Sequence, residues 1–415
     1  MKEDKNMNQK IYSGSKPGNL PNARTGHRYV AQLPVNYIPS NPLANCLLVG
    51  LEDTGLHFIS EKKQIVGIPR NSGSIEMQLN IREYNESGVE EFSTHELKLI
   101  VEDDYNFLPG EPDVNTPYRK RDEVTYAIPV NRNSKNRIKK DVAAASKRGN
   151  QQIEEGKIRE DDFYIQYHSG TRWYALAVAD GSGKAKYSRK GSEIACRKVV
   201  ESCLEQLKKQ SRKIRRLSIR YTKKKLDKVR HEIVVRLHDI IASSVKGAYE
   251  GIVLEAMNFE RRTPEDYATT LLMCLCKKFE FGWLIGVFGV GDGAVCVYHK
   301  DNWYSNLMAG GESPSEKCFL TTPGILQPSG LERRIRFTIV DDFSALFLMT
   351  NGVSDPIFGN EDDLPCFELW NRLWGDIRSK VDFSGKTKDV GEDLLKWLSL
   401  WTPGKYDDRT VAVVF

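Results

Sequence analysis

The sequence predicts two folding units, an N-terminal all-β sandwich and a C-terminal α/β sandwich with helices outside two sheets. Three observations carry that reading. Ile75, Met77, Leu79 and Ile81 alternate with polar residues, the period-two signature of a half-buried strand. Further along, four unbroken apolar runs each adjoin an acidic or glycine-containing turn, as strands buried on both faces do. Between those runs, apolar residues recur at helical spacing, and strands mixed with long helices fit a layered α/β domain. At 415 residues the chain is long enough for two such units.

Taken in order, residues 1–26 carry Lys, Asn, Ser, Gly and Pro without periodicity and read as a flexible leader. From 27 to 104 the pattern is one of short strands. Leu97, Leu99 and Val101 repeat the alternation, and Gly55, Gly67-Ile68-Pro69 and Asn71-Ser72-Gly73 supply turns. The stretch GLHFISEKKQIVGIPRNSGSIEMQLNI resembles bacterial immunoglobulin-like modules. That resemblance implies an immunoglobulin-like β-sandwich that binds or spaces, and no chemistry is visible in it. Residues 105–142 hold Pro109, Pro112, Pro117, Pro129 and a basic run from Asn131 to Lys140, and read as a linker.

Residues 143–415 form the α/β unit. The apolar runs are Trp173–Ala179, ending in Asp180-Gly181; Phe281–Val290, ending in Gly291-Asp292-Gly293; Ala345–Met349, ending in Thr350-Asn351-Gly352; and Thr410–Phe415, preceded by Asp407-Asp408. Helical patterns cover Ser192–Leu207, His231–Met257, Phe367–Ile377 and Val390–Trp401.

Bulk properties exclude several classes. The eight cysteines include no CxxC pair, so the thiols are expected reduced and mostly buried in a cytoplasmic protein, with no zinc site. Met1 to Arg24 contains no apolar core of a signal peptide, and no apolar run approaches the ~20 residues a membrane span needs. The net charge of +5 is mild but unevenly spread.

The acidic positions carry the chemistry. Glu160, Asp161 and Asp162 open a strand-like run, Asp180 and Asp292 follow buried strands, and Asp407-Asp408 precede the last one. Carboxylates at the ends of apolar strands are costly unless solvated, capped or bound to cations, and hard divalent ions prefer oxygen ligands. Singly, a strand-terminal Asp-Gly is more often a turn than a ligand. As an ordered set, Arg159-Glu160-Asp161-Asp162-Phe163, Val178-Ala179-Asp180-Gly181-Ser182-Gly183, Ala268-Thr269-Thr270, Gly291-Asp292-Gly293, Gly310-Gly311-Glu312, Thr350-Asn351-Gly352-Val353-Ser354-Asp355 and Asp407-Asp408-Arg409-Thr410-Val411 resemble the metal-dependent, PP2C-like serine/threonine protein phosphatases. Ser182, where animal members carry histidine, makes the pattern look more like the bacterial branch.

The resemblance implies a PP2C-like four-layer α-β-β-α sandwich that hydrolyses phosphoserine and phosphothreonine through a metal-bridged hydroxide. It implies Mn²⁺ or Mg²⁺ as cofactor, two or three ions, with a phosphoprotein substrate and a cognate Ser/Thr kinase. Asp180 would bridge two ions and the Gly181 carbonyl would ligate one. Asp407 would bind the other, Glu160 or Asp161 would hold metal-bound waters, and Asp292 would help hold the third. Arg159, or Lys157 two residues earlier on the same strand face, would contact phosphate. The chain departs from the pattern at Asn351, where the family usually has a metal-binding aspartate. An amide oxygen can coordinate but brings no charge, so a weaker ion is expected, and a catalytically impaired phosphoprotein-binding relative is the alternative.

Residues 208–230 carry twelve Lys or Arg and one Asp. They read as a solvated helix extension or as an electrostatic dock for an acidic protein, nucleic acid or an anionic surface. No nucleic-acid recognition module accompanies them, so nucleic acid and membrane are not the expected partners.

Overall fold

The computed structural model describes residues 18–33, 37, 44–84, 90–102, 112, 115–130, 140–219, 226–300, 303–307, 318–358, 364–384, 389–399 and 407–415. The chain divides into two compact units, residues 1–108 with 402–404, and residues 109–401 with 405–415.

The first unit contains β1 (Gly18–Asn19), β2 (Ala23–Arg24), β3 (Tyr29–Gln32), β4 (Asn45–Val49), β5 (Leu56–Ile59), β6 (Gln64–Gly67), β7 (Gly73–Tyr84) and β8 (Glu90–Glu102). One sheet runs β1-β8-β7-β4 with β2 also against β8, and a smaller one runs β3-β6-β5. Alternation in β7 and β8 turns Met77, Leu79, Leu97 and Leu99 into a core that Tyr29, Leu56 and Ile65 enter from the smaller sheet. The expected leader is corrected here. Residues 18–19 and 23–24 pair in parallel with β8, held by backbone hydrogen bonds that leave no periodic trace in two-residue strands. The rest of the expected leader, residues 1–17, lies outside the described residues.

The second unit contains β9 (Glu123–Ile128), β10 (Val142–Lys147), α1 (Asn150–Glu154), β11 (Asp162–His168), β12 (Trp173–Ala179), α2 (Ser188–Ile219), α3 (Leu226–Met257), β13 (Leu271–Phe279), β14 (Gly282–Val290), β15 (Ala294–His299), β16 (Trp303–Asn306), α4 (Pro328–Arg334), β17 (Ile335–Val340), β18 (Ala345–Met349), α5 (Asn351–Phe358), α6 (Phe367–Lys380), α7 (Val390–Ser399) and β19 (Arg409–Val414). Two antiparallel sheets form, β16-β15-β18-β19-β10-β9 and β11-β12-β13-β14-β17. The apolar runs are the strands of their interiors, because both faces need cover. In β12, Tyr174, Leu176 and Val178 meet Val295, Leu346 and Val414 of the other sheet. The alternate residues Trp173, Ala175 and Ala177 pack against Val199, Leu237 and Ile241 of α2 and α3. On the six-stranded sheet's other side, Phe347 meets Trp370 and Trp374 of α6.

Two expectations change. The linker 105–142 contains β9, which pairs with β10 in register Ala144↔Tyr126 and is an edge strand of the larger sheet. Val124 and Ile128 supply its apolar contacts, a short alternation hidden among prolines and charges. The basic run 131–139 lies outside the described residues. The helix expected at 192–207 extends to Ile219, and its partner begins at Leu226 rather than His231, so most of the basic stretch is helical; residues 220–225 lie outside the described residues.

Candidate active site

Asp180 follows directly on β12, and its backbone is clamped by the next strand. The Thr270 N–H donates to the Asp180 carbonyl at 2.8 Å, and the Thr269 hydroxyl donates to the same oxygen at 2.9 Å. The Asp180 N–H in turn donates to Thr270 Oγ1 at 2.8 Å. Gly181 bridges to Thr269. The Ala268-Thr269-Thr270 motif therefore fixes where the Asp180 carboxyl emerges. That carboxyl is pushed well above the usual carboxylate range by burial first, and then by the charges of Asp161, Asp407 and Asp292.

Asp161 is fully buried. Its Oδ2 accepts hydrogen bonds from Thr350 Oγ1 at 2.8 Å and Thr410 Oγ1 at 2.6 Å, while its buried Oδ1 has no hydrogen-bond partner. Burial, followed by the Asp408 charge, pushes Asp161 up to about 8. Asp407 accepts from Gln152 Nε2 and, at 2.8 Å, from the Asp408 N–H, both on Oδ1. Asp408 has a different job. Its Oδ1 accepts from the Gly149 N–H at 2.7 Å, and its Oδ2 from the N–H groups of Glu160 and Asp161. It braces the 160–161 backbone against the loop before α1, and burial still raises it to about 6. Glu160 accepts from Ser188 Oγ at 2.8 Å and lies 3.8 Å from Arg189. Burial pushes it up to about 7, against the Ser188 hydrogen bond that favours its charged form.

Asp292 sits in a turn that only glycines can make. Gly291 and Gly293 have φ of 93° and 106°, and a Cβ on Gly291 would lie 2.4 Å from Thr270 Cγ2. Asn351 opens α5. Its Nδ2 points at Asp292 Oδ2, at 3.5 Å, and its Oδ1 accepts the Gly352 N–H at 2.8 Å.

The expected role of Arg159 is corrected, and Lys157 and Asn351 stand differently from their expected placement. Arg159 is 2 % exposed, and its guanidinium donates to the carbonyls of Arg121 (3.0 Å) and Asp161 (2.8 Å) and to Ser146 Oγ, so it holds the fold and does not face a phosphate. Lys157 lies in the turn after α1 rather than on a strand, exposed and paired with Glu155 at 2.6 Å. Asn351 turns its amide nitrogen toward Asp292, at 3.5 Å, while its Oδ1 accepts the Gly352 N–H. The expected Gly310-Gly311-Glu312 segment lies outside the described residues.

Sequence reasoning gave no role to Lys120, Ser188 or the two threonines on Asp161. Lys120 pairs with Asp162 at 2.8 Å and donates to the Asp161 carbonyl at 3.1 Å and to Ser192 Oγ at 3.0 Å. Nothing in its neighbourhood of the sequence announced that contact. Thr350 and Thr410 did have a signal, since each sits inside an acidic strand-end motif.

Whether these residues suit a divalent cation can be tested on the donors themselves. Among the described residues no three His, Cys, Asp or Glu side chains meet at the spacing of a metal site. The donor chemistry nonetheless fits a hard cation. All the groups are carboxylates, Asp161 keeps a buried oxygen unpaired, and Asp180 is destabilised by three neighbouring charges that a cation would neutralise.

Comparison with known proteins gives the family. No curated protein sequence matches the chain. Solved structures that match include the serine/threonine phosphatase Stp1 from Staphylococcus aureus (14% identity, 66% of this chain and 93% of that one, TM-score 0.38). The catalytic domain of the serine threonine protein phosphatase PstP with two manganese ions matches at 17% identity over 66% and 96%, TM-score 0.36. A C. elegans sex determining protein matches at 17% over 68% and 66%, TM-score 0.41. The family model for Protein phosphatase 2C matches residues 148–399, which takes in β11 through α7 and Asp161, Asp180, Asp292 and Asn351. The chain belongs to the protein phosphatase 2C family.

Proposed function

We propose that this chain hydrolyses phosphoserine and phosphothreonine in proteins with the help of Mn²⁺ or Mg²⁺. The observation that carries the reading is the carboxyl of Asp180, clamped by Thr269 and Thr270 and crowded by Asp161, Asp407 and Asp292. Asp180, Asp161 and Asp407 would hold the cations, with the Gly181 carbonyl and Glu160 beside them and Asp292 at the edge of the set. Bound divalent ions supply acidification of water and neutralisation of phosphoryl charge. The chain's own contribution is positional: Thr350 and Thr410 hold one oxygen of Asp161 so that the other stays free, and Asp408 fixes the loop that carries Glu160. The layering of helices and sheets supports the four-layer α-β-β-α sandwich of that family. The first unit's paired sheets support an immunoglobulin-like module. All eight cysteines are free and no described helix is long and apolar enough to cross a membrane, which supports a reducing, cytoplasmic setting.

A parallel Mn²⁺ titration tests this on p-nitrophenyl phosphate and a phosphothreonine peptide. Wild type is expected to turn over in a Mn²⁺-dependent way and Asp180→Ala to lose at least about a hundredfold in kcat. No turnover by wild type at any Mn²⁺ or Mg²⁺ concentration rejects the proposal. The amide geometry of Asn351 favours one second reading, an impaired phosphoprotein-binding relative. A silent wild type that gains turnover in Asn351→Asp selects that reading.

A further inference from the structure

The C-terminal half of α2 has no part in the carboxylate cluster. Lys208, Lys209, Arg212, Lys213, Arg215 and Arg216 are all exposed there. At 100° per residue they occupy about 160° of the helix circumference, opposite the face that buries Cys203, Leu207 and Ile214 in the core. The helix is charged in two zones. Glu201 and Glu205 share this face nearer the N-terminus, and Glu205 pairs with Lys209 at 2.7 Å, but from Arg212 onward no carboxylate pairs with any of these cations among the described residues. Two neighbouring elements add to the positive field. Arg172, in the β11–β12 turn, and Lys277, on β13 with its Nζ 5.0 Å from the centre of the Phe279 ring, lie near enough to Arg215 that both arginines disfavour the lysine's charge.

The bland account is that cations suit a helix C-terminus. That effect is confined to the last turn, whereas this patch spans more than two. Lys208/Arg212, Lys209/Lys213 and Arg212/Arg216 are also like-charge pairs at i,i+4, which destabilise a helix. Among the described residues no exposed aromatic ring interleaves with these cations, since Trp173 and Phe279 are buried, and so the described face lacks the stacking platform of a nucleic-acid surface. Charge complementarity along one exposed face of a single helix points to an extended polyanion of protein.

We propose that the basic half of α2 docks an acidic segment of the phosphoprotein substrate, at a distance from the phosphorylated residue that α2 itself measures. The substrate part of this rests on the phosphatase reading. Ser188, at the start of α2, donates to Glu160, and Arg212 lies 24 residues further on, so about 36 Å separate the two sites along the helix. An extended peptide covers that span in about a dozen residues. The substrate class is thus a protein with a Glu/Asp-rich segment about twelve residues or more from its phosphoserine or phosphothreonine.

Fluorescence anisotropy on the full chain tests the dock without catalysis. The probes are an unphosphorylated Glu-rich dodecapeptide, its Gln counterpart, a twelve-nucleotide single-stranded RNA and vesicles containing phosphatidylserine. Tight binding of the Glu peptide alone is expected. It should weaken at least about tenfold between low and physiological salt, and again in the Lys208→Glu, Lys209→Glu, Arg212→Glu, Lys213→Glu variant. Absence of Glu-peptide binding, equal binding of the Gln peptide, indifference to charge reversal, or preference for RNA or vesicles each overturns the dock. For the substrate, a phosphopeptide bearing the acidic segment twelve residues away should show a KM about tenfold below that of the bare phosphopeptide. The gain should vanish in the variant, with kcat on the bare peptide unchanged. Equal KM values overturn the measured spacing, whereas peptide binding with no hydrolysis at all rejects the phosphatase reading and leaves the dock standing.

Discussion

At Arg159 a charge next to three acidic residues turns out to be a piece of framework. Its three hydrogen bonds join the 121 region, β10 and the 161 carbonyl, so replacing it leaves buried acceptors without donors. Arg159→Met is expected to cost about 2–4 kcal/mol in urea unfolding, with KM for a phosphopeptide unchanged at low temperature. A raised KM at undiminished stability would return Arg159 to the phosphate. The misassignment has a physical source: an arginine among carboxylates reads as an anion contact, and only burial distinguishes one that serves the backbone. Asp408 shows the same thing in reverse. Asp408, to which the sequence assigned no site role, is occupied by three N–H groups, while the charge of Asp407 bears on Asp180.

The turns that carry the cluster are as demanding as its side chains. At the start of α5, a Cβ on Gly352 would lie 2.0 Å from the Asp408 carbonyl oxygen, a backbone atom that cannot swing away. Gly352→Ala is expected to lower stability by about 2 kcal/mol or more and to lose the rise in Tm with Mn²⁺ that the proposed function expects of the wild type; a wild-type-like Mn²⁺ response of the variant in differential scanning fluorimetry would show that the α5–Asp408 contact is dispensable. Elements differed in how plainly the sequence announced them. β12 and β18 stand where the apolar runs placed them, because strands covered on both faces need apolar residues at every position. β1, β2 and β9 left little trace, since pairing at a sheet edge is made by backbone atoms common to all sequences. The far end of α2 was ambiguous for a third reason. Its apolar positions thin out to Ile214 and Leu217 among cations, so helical period and solvated charge run competed for the same residues.

At the scale of the second unit, Arg172 and Arg215 crowd Lys277 while Asp161, Asp407 and Asp292 crowd Asp180. Burial, reinforced by Arg172 and Arg215, pushes Lys277 down to about 8 from an ordinary value of 10.5. The folded protein therefore binds this proton less readily than the unfolded chain. The resulting penalty is complete below about pH 8 and fades as pH rises to 10.5, so Lys277 makes stability increase across that window. Lys277→Met should raise Tm at pH 7 by about 2–4 °C, with a gain that shrinks toward pH 10.5; a gain independent of pH would assign the effect to packing instead. A last consequence follows from where β19 sits. It is inserted between β18 and β10, and Asp407 lies two residues before its first residue. Asp180, more than two hundred residues earlier, reaches the ribosome's exit tunnel long before that partner exists. During translation the larger sheet is split down its middle until β19 has emerged, and the acidic cluster lacks a member until Asp407 has been added. Any nascent chain still tethered short of that residue is thus a phosphatase fold without its full set of carboxylates.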